Sequence, residues 1–404
     1  MLLNILRNRI YKMENNQEKK LRIAMICDPM GSNKSGVVVS TLRFAKLLKE
    51  KGHHVIFIAA RSEEHKEHSF HNGIKTYRFR SIPIPKSDGW NLAFPSIREL
   101  VEIFKEEEIN VVHIILPMSA SIMAIKAARR LGIKIVAHSH SQPENLFMNM
   151  PKIIQPVLGN LWNKYLAWTY NKAECLIYPT QMANDLLQKL SKKGQKSEII
   201  SNGIDIKEFS PKPIGDFNKK FRIDEDATKL LFVGRLFPEK SIDTLIRAMP
   251  YVIKKYPNTH LMIVGGGYLK PNLEKLAIGL NVDKHTTFLG LVSEEDKVLA
   301  FNACDMFILP SLAELEGMVV LEAMACGKPI IIGDAEMSAS RFFVNENGFL
   351  FKSKDPNDLA DKISTLVENK ELREKMGRKS LEDSKDYDIN KSADKLEKVY
   401  YGIL

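Results

Sequence analysis

The residues most able to do chemistry lie in two motifs in the second half of the chain. The segment 234–240 reads Gly-Arg-Leu-Phe-Pro-Glu-Lys and lies between an apolar run and a helical pattern. A guanidinium and an ammonium near a helix start can together neutralise a diphosphate, where charge grows when a glycosyl phosphate bond breaks. We therefore predict that Arg235 and Lys240 hold a diphosphate, although surface cations at a helix start would give the same pattern.

The second motif pairs two carboxylates. Glu314 and Glu322 are separated by seven residues that include Gly317. If a helix begins at Gly317, Glu314 lies in the loop before it and Glu322 about one and a half turns along it. One carboxylate can then accept hydrogen bonds from sugar hydroxyls and the other from a ribose, while the N–H groups of Gly317, Met318 and Val319 remain available to ligand oxygens. The apolar residues that follow predict a crowded position for Glu322, against the alternative of a solvated acidic helix start.

Two weaker features also follow apolar runs. The glycines at 265–267 permit close approach of the backbone to a ligand, but such a loop is often only a tight turn. His138 and His140 follow the run at 133–137, and two histidines in one loop favour a binding role over a structural one. His113 is predicted to belong to the core.

These residues need a scaffold that brings post-strand loops together. An apolar run at 21–27 leads through a glycine loop at 31–36 into a helical pattern, and the next apolar run is 55–59. The same order recurs over 230–264. It predicts an α/β protein with two Rossmann-like parallel-sheet domains, whose ligands bind beyond the carboxyl ends of the strands.

Composition excludes several classes of protein. The chain has 404 residues, 44% of them hydrophobic and 27% charged, which fits globular domains and excludes a mainly disordered protein. No run reaches the roughly 18 apolar residues that span a bilayer. Four cysteines without paired spacing argue against a disulfide framework or a zinc site and favour a cytoplasmic protein.

Charge and aromatic residues are unevenly distributed. Residues 1–210 contain 31 Lys and Arg against 19 Asp and Glu, and the remainder contains 28 against 30. The basic half either meets a polyanion, such as nucleic acid or anionic lipid, or is a solvated lysine-rich surface. Two of the three tryptophans lie at 161–170, where helical spacing predicts core packing, with a lipid headgroup layer as the alternative.

Taken in order, these motifs resemble the retaining GT-B glycosyltransferases of family 4. The Glu-x7-Glu motif matches Glu314 and Glu322, the Gly-Arg-Leu…Lys motif matches 234–240, and a Phe-Leu-Gly turn matches 288–290. The resemblance covers nearly all of the chain from Leu21 onwards. It implies a hexosyltransferase with two facing domains and a cleft between them that holds a nucleoside-diphosphate sugar, most simply a UDP-sugar.

The resemblance also implies roles for single residues. Gly36 corresponds to the second glycine of a Gly-Gly loop that approaches the donor phosphates, with Ser35 in place of the first. His140 fits a histidine near the reacting centre, and Gly266 belongs to the donor-binding set. No metal or other cofactor is implied, since Arg235 and Lys240 would neutralise the diphosphate. The Asp-x-Asp strings at 224–226 and 386–388 are not expected to bind metal.

The predicted domain boundaries follow from the turn-rich stretch after residue 200. A frayed or amphipathic tail at 1–20 starts at Met1 or Met13, and an acceptor domain follows at 21–208. A nucleotide-sugar domain at 209–383 comes next. The resemblance implies that a final helix at 384–404 crosses back onto the first domain.

The acceptor is less defined than the donor. Two segments are similar to the diacylglycerol glycosyltransferase branch. They are the motif around Glu314 and residues 337–343, which stand where many relatives carry a Gly-Gly-x-x-Glu loop. This similarity implies a membrane lipid acceptor, an anionic membrane partner for the basic half, peripheral location on the inner face, and no nucleic acid. A polysaccharide or other glycan acceptor, a non-catalytic basic membrane-binding module and a sugar-nucleotide epimerase are the alternatives.

Overall fold

A computed structural model describes residues 20–31, 36–62, 68–84, 90–140 and 155–404. The tail at 1–19, Ser35 and the residues directly after His140 lie outside this part of the chain. The chain divides into two compact units, here called unit 1 (residues 1–137 and 397–404) and unit 2 (residues 138–396). This division falls at residue 138 and not at 208, and the domain boundaries read from the sequence stay a prediction.

Unit 1 is built on a mainly parallel sheet. Its helices are α1 (Gly36–Glu50), α2 (Ile97–Glu106) and α3 (Ser119–Leu131). Its strands are β1 (Arg22–Ile26), β2 (His54–Ala60), β3 (Ser69–His71), β4 (Ile74–Phe79), β5 (Ser81–Pro83), β6 (Asn91–Ala93), β7 (Val111–Ile114) and β8 (Lys134–His138, the last residue falling in unit 2). The order β8-β7-β1-β2-β4-β3 is parallel except for β3, and β5 pairs with β6.

The apolar runs of the sequence explain this sheet. β1 is buried from Ile23 to Ile26, so both of its faces are covered, and it pairs in parallel with β2 along one edge and β7 along the other. α1 connects β1 to β2, which confirms the predicted βαβ opening. Residues 27–31, which follow β1, therefore lie at the carboxyl edge of the sheet.

Unit 2 contains a second parallel sheet and, outside that sheet, the two parallel strands β9 (Cys175–Tyr178) and β10 (Ser197–Ile199). The sheet has the order β13-β12-β11-β14-β16-β18. Its strands are β11 (Thr228–Val233), β12 (Thr259–Val264), β13 (Thr286–Gly290), β14 (Met306–Leu309), β16 (Ile330–Asp334) and β18 (Gly348–Lys352), and β15 (Ala313–Glu314) pairs with β17 (Met337–Ser338) beside it.

The remaining helices of the described chain lie between residues 155 and 403. They are α4 (Gln155–Tyr170), α5 (Gln181–Leu187), α6 (Phe217–Phe221), α7 (Ile242–Lys255), α8 (Lys270–Gly279), α9 (Glu294–Ala303), α10 (Met318–Ala325), α11 (Pro356–Glu368), α12 (Lys370–Ser384) and α13 (Ile389–Ile403). Strands and helices alternate along the chain, so the second βαβ opening is also confirmed. Among the described residues, no helix combines the length and apolar content needed to cross a bilayer.

The last residues of α13 belong to unit 1. The Lys51 ammonium donates to the Glu397 carboxylate at 2.6 Å, and the His53 ring lies 2.6 Å from the same carboxylate. The Tyr400 hydroxyl is 2.7 Å from Nδ1 of His113, which is fully buried as the sequence predicts. These contacts fix residues 397–404 on unit 1.

Candidate functional site

Three loops of unit 2 follow the neighbouring strands β11, β12 and β13 and are bonded to one another. The Gly234 N–H donates to the Val264 carbonyl at 3.0 Å, and the Leu236 N–H donates to the Gly266 carbonyl at 2.8 Å. The Gly265 N–H in turn donates to the Gly290 carbonyl at 2.8 Å. The Gly-Arg-Leu, triple-glycine and Phe-Leu-Gly segments therefore form one continuous surface at the carboxyl edge of the sheet.

Backbone packing explains two of the three glycines in the middle loop. A Cβ on Gly265 would lie 1.9 Å from the Gly234 carbonyl oxygen, and one on Gly267 would lie 2.6 Å from the Leu236 carbonyl oxygen. Both glycines have positive φ angles, +136° and +153°. A Cβ on Gly266 would instead meet the Leu291 side chain at 3.2 Å. Contact between loops thus accounts for Gly265 and Gly267 without a ligand.

Arg235 is held in place but keeps an accessible guanidinium. Its Nη2 donates to the buried Glu239 carboxylate at 3.2 Å, and its guanidinium carbon lies 4.7 Å from the centre of the Phe237 ring. The side chain is 41% exposed. A guanidinium has five N–H donors, so the remaining ones can bind an anion at this edge.

Lys240 and Glu314 are in direct contact. The Lys240 ammonium donates to Oε1 of Glu314, and both side chains are largely buried. The Leu312 N–H also donates to the Glu239 carbonyl at 2.7 Å, so the two loops are joined by backbone as well. The structure therefore brings the basic motif and the first carboxylate of the acidic motif together. We call loops 234–240, 265–267 and 312–317 the loop cluster.

α10 starts at the loop cluster. Gly317 precedes its first residue with a φ of +92°, and a Cβ there would lie 3.0 Å from Cβ of Ser340. The N–H groups of Met318 and Val319 are in the first turn, where no preceding helical carbonyl is available to them. Glu314 lies in strand β15 and not in the loop that the sequence predicts, because residues 313–314 pair with 337–338.

Glu322 is buried within α10, as its apolar neighbours predict. The residue is 3% exposed, and the Lys297 ammonium from α9 donates to its Oε1 at 3.3 Å. Lys297 also contacts Glu294 at 2.7 Å and lies 5.2 Å from the centre of the Phe209 ring. An opposite charge thus orients the second carboxylate of the motif.

Glu316 is a buried carboxylate that the sequence analysis missed. It accepts from the Ser201 hydroxyl at 2.5 Å, the Asn202 side-chain amide at 2.7 Å and the Asn202 N–H at 3.1 Å. Burial raises its pKa to about 7 despite these hydrogen bonds. The Thr180 hydroxyl also donates to the Leu315 carbonyl at 2.8 Å. These contacts tether the loop between Glu314 and Gly317 to the chain after β9 and β10.

Gly36 and His140 lie apart from the loop cluster along the chain. Gly36 is the first residue of α1 in unit 1. His140 follows β8, and its ring lies 4.0 Å from the His138 ring between centroids. Desolvation lowers the pKa of the His140 imidazole to about 3, so the ring is neutral at physiological pH. A neutral imidazole can donate one hydrogen bond and accept another.

The loop cluster suits an anionic ligand that also carries hydroxyls. It combines the cations of Arg235 and Lys240, the N-terminus of α10 and the carboxylate of Glu314, which are the kinds of group that bind phosphate oxygens and sugar hydroxyls. Within the described part of the chain, no group of three or more His, Cys, Asp and Glu side chains is placed to hold a metal ion.

The two Rossmann-like units place the chain in the GT-B class of glycosyltransferases. Residues 34–208 match the family described as Glycosyltransferase Family 4, and residues 214–383 match Glycosyl transferases group 1. The chain therefore belongs to the family 4 glycosyltransferases and is a hexosyltransferase. The resemblance read from its motifs is confirmed, including the similarity to the diacylglycerol branch.

Two curated relatives are about one quarter identical to the chain over the residues that align. The alpha-monoglucosyldiacylglycerol synthase of Acholeplasma laidlawii is 25% identical over 381 residues, which cover 92% of this chain and 94% of the relative. The synthase of the same name from Streptococcus pneumoniae is 26% identical over 319 residues, 77% of this chain and 70% of the relative.

Solved structures share the fold at lower identity. Sucrose-phosphate synthase from Thermosynechococcus elongatus aligns with a TM-score of 0.80 at 20% identity, covering 95% of this chain and 99% of that one. HepE of Anabaena in complex with UDP-glucose aligns with a TM-score of 0.75 at 18% identity, covering 94% and 99%.

Proposed function

We propose that this enzyme moves a hexose from a UDP-sugar, such as UDP-glucose, to a membrane lipid such as diacylglycerol, with retention of anomeric configuration. The relatives from Acholeplasma laidlawii and Streptococcus pneumoniae are named as diacylglycerol glucosylation enzymes, and they support this acceptor class. The fold is shared with a protein solved with UDP-glucose, which supports the donor class.

The contact between Lys240 and Glu314 is the observation that carries the donor assignment. An ammonium has three N–H donors, and only one is needed for Glu314, so two remain for diphosphate oxygens. The same contact holds the Glu314 carboxylate beside the diphosphate, where the hexose of a nucleotide sugar is attached. One ion pair can thus bind both sides of the bond that breaks.

The other proposed contacts follow from position. Arg235 adds a second cation for the diphosphate, and the N–H groups of Gly317, Met318 and Val319 donate hydrogen bonds to its oxygens at the start of α10. Glu322 binds the ribose hydroxyls. On the family's pattern, Gly36 and Gly266 allow close approach to the donor, and neutral His140 bonds the hexose near the reacting carbon.

Retention needs no carboxylate nucleophile in this proposal. As the glycosidic bond breaks, charge develops on the leaving phosphate oxygen, and Arg235 and Lys240 stabilise it. The acceptor hydroxyl attacks from the side of the leaving group and passes its proton to that phosphate oxygen. The new bond then has the configuration of the old one. These residues supply the positive charge that the leaving group needs, so the proposal includes no metal or other cofactor.

A membrane lipid acceptor places the enzyme at a membrane surface. We include peripheral association on the inner face, driven by the basic N-terminal half, in the proposal. The charge of residues 1–210, 31 basic against 19 acidic, supports an anionic surface as the partner.

Mass spectrometry of products tests the proposal. Purified protein is incubated with UDP-glucose, UDP-galactose or GDP-mannose and with vesicles that contain diacylglycerol, or with soluble glycans instead. We expect a hexosyl lipid from a UDP-sugar. NMR of the purified product should show an α-linkage through the proton coupling of its anomeric carbon. A hexosylated glycan alone would overturn the lipid acceptor. Binding of vesicles without turnover of any donor would favour the non-catalytic module.

A further inference from the structure

One face of α4 exposes apolar and aromatic side chains. Val157 is 61% exposed and Leu161 is 57% exposed, and Tyr165 and Trp168 continue the same face as half-buried residues. They recur at intervals of three and four residues, the spacing that places side chains on one side of a helix. We call these four residues the α4 face.

The opposite side of α4 anchors the helix in unit 2. Leu166 and Tyr170 are fully buried, and the Tyr170 ring meets the Tyr178 ring of β9 edge to face with centroids 6.4 Å apart. The core packing expected from the sequence thus holds for Tyr170. Because another side of the helix supplies the packing, the α4 face is a surface and not a part of the core.

Aromatic rings stack along the helix. The Tyr165 ring lies 5.5 Å from the Trp162 ring and 6.3 Å from the Trp168 ring, with the latter pair nearly parallel at 15°. Such rings combine a broad apolar body with a polar edge, which suits the boundary between lipid headgroups and acyl chains.

A basic turn lies against the end of α4. Lys189, Lys192, Lys193 and Lys196 are all exposed, and residues 189–196 contain no Asp or Glu. We call these four residues the lysine turn. The Lys192 N–H donates to the Asn171 side chain at 2.6 Å, and the Gln195 amide donates to the Ala173 carbonyl at 2.8 Å. These bonds fix the turn beside the helix.

We propose that the α4 face and the lysine turn together form the surface that docks on an anionic lipid bilayer. This inference rests on the proposed function, and it names the site of the membrane contact. Residues 155–173 contain no acidic residue, and Lys164 adds a cation on α4. An apolar helix face beside fixed lysines inserts into the headgroup layer while the ammonium groups meet lipid phosphates.

The chemistry favours a bilayer over other polyanions. The lysines would bind nucleic acid, but its phosphates would make no favourable contact with the apolar side chains of Val157 and Leu161. An anionic bilayer satisfies both parts, because acyl chains accept the apolar side chains and headgroups accept the ammonium groups. Both parts should therefore contribute to binding.

Vesicle flotation tests this surface with the full-length protein. The probes are phosphatidylcholine vesicles, with and without phosphatidylglycerol. Replacing Lys192 and Lys193 by Gln should reduce partitioning to the anionic vesicles about 25-fold, on the basis of roughly fivefold for each lysine near a charged surface. The double variant Val157→Ser, Leu161→Ser should reduce it on the order of tenfold.

A matched control lies on α8. Ile278 is 62% exposed and Lys275 is exposed on the same helix, so the double variant Ile278→Ser, Lys275→Gln removes one apolar and one cationic side chain away from the proposed docking surface. It should float like the unchanged protein. Equal flotation of all variants, equal loss in the control, or a change of oligomeric state in the α4 variant would each overturn the proposal.

A second readout separates this inference from the proposed function. In detergent micelles that carry a short-chain diacylglycerol, the variants should transfer hexose at the rate of the unchanged protein. In anionic vesicles the same variants should lose transfer in proportion to lost flotation. Absence of lipid transfer in both settings, with flotation still dependent on the α4 face, would contradict the proposed acceptor and leave the docking surface standing.

Discussion

Three cations in or near the loop cluster each contact a carboxylate within unit 2. Lys240 contacts Glu314, Arg235 contacts Glu239, and Lys297 contacts Glu322. These partners fix the direction of long side chains before a ligand arrives, which lowers the entropy lost on binding. A diphosphate can then accept hydrogen bonds from the N–H groups that these ion pairs do not use, so binding need not break the ion pairs.

The role of Glu322 can be tested against the ribose directly. Glu322→Gln should weaken UDP binding by about tenfold, since a hydrogen bond to a charged group contributes roughly 1.5 to 3 kcal/mol. With 2′,3′-dideoxy-UDP the unchanged protein and the variant should bind alike, because the hydroxyls are gone. Isothermal titration calorimetry measures both ligands.

Glu295→Gln is the matched control for Glu322. Glu295 is exposed on α9, and its variant should bind UDP like the unchanged protein. A loss of affinity for the dideoxy nucleotide as large as that for UDP would show that Glu322 acts through the fold and not through the ribose.

For single residues, the sequence identifies those whose function is indicated by the motif in which they lie. Arg235, Lys240, Glu314 and Glu322 could be named because cations and carboxylates follow apolar runs. Glu316 could not, although it lies between two of them, because its partner Asn202 is 114 residues away. Long-range contacts of this kind leave no spacing signal.

At the scale of elements, close contact between loops sets the shape of the loop cluster. Gly265 and Gly267 approach the backbone of 234–236 so closely that a side chain is excluded. The sequence left open whether this loop meets a ligand or only turns. The glycines are explained by neighbouring loops, so their presence alone says nothing about the donor.

Gly265→Ala should therefore destabilise the protein by roughly 3 kcal/mol, from steric overlap and an unfavourable φ. Gly279→Ala is the control, because a Cβ there meets nothing within 4 Å and alanine favours a helix. The midpoint of urea denaturation, followed by circular dichroism, should fall only for Gly265→Ala. Equal midpoints would show that the loops separate without cost.

The sequence predicts regular elements better than short ones. The βαβ openings around 21–59 and 230–264 are confirmed because long apolar runs and helical spacing mark them. The sequence gives no signal for the pair β15 and β17, so it predicts a loop at Glu314 where the structure has a strand. Two-residue strands carry no periodicity, and only the pairing of distant residues defines them.

At the scale of the whole molecule, buried carboxyl groups link stability to pH. Asp28 in unit 1 accepts from the Ala93 N–H at 2.9 Å and from the Ser119 hydroxyl at 3.0 Å, yet burial raises its pKa to about 6. Burial also raises the pKa of Glu316 in unit 2 to about 7. Each unit thus contains a carboxyl group that folding makes harder to ionise.

These shifts give the pH dependence a definite sign. Both groups hold a proton to higher pH in the folded protein than at their ordinary values of 3.8 and 4.5. The folded state therefore binds more protons in that window, and the free energy of unfolding should fall as pH rises from about 5 to 8. The melting temperature, measured by calorimetry, should fall with it.

Variants identify the groups responsible. Asp28→Asn and Glu316→Gln keep a hydrogen-bonding oxygen but cannot ionise, so the doubly substituted protein should lose much less stability between pH 5 and pH 8. An unchanged slope would contradict the assignment.

Below this window Glu107 acts in the opposite direction. Its hydrogen bonds with Lys75, Tyr77 and His54 outweigh burial and lower its pKa to about 2.

Calorimetric titration of UDP into the purified protein tests the central claim most directly. The unchanged protein should bind UDP, and Lys240→Met and Arg235→Met should each weaken binding about tenfold or more, since each removes charge-assisted hydrogen bonds to the diphosphate. Arg247→Met, at a 52% exposed side chain on α7, should bind like the unchanged protein. Failure of the unchanged protein to bind UDP, or equal affinity in all three variants, would contradict the account.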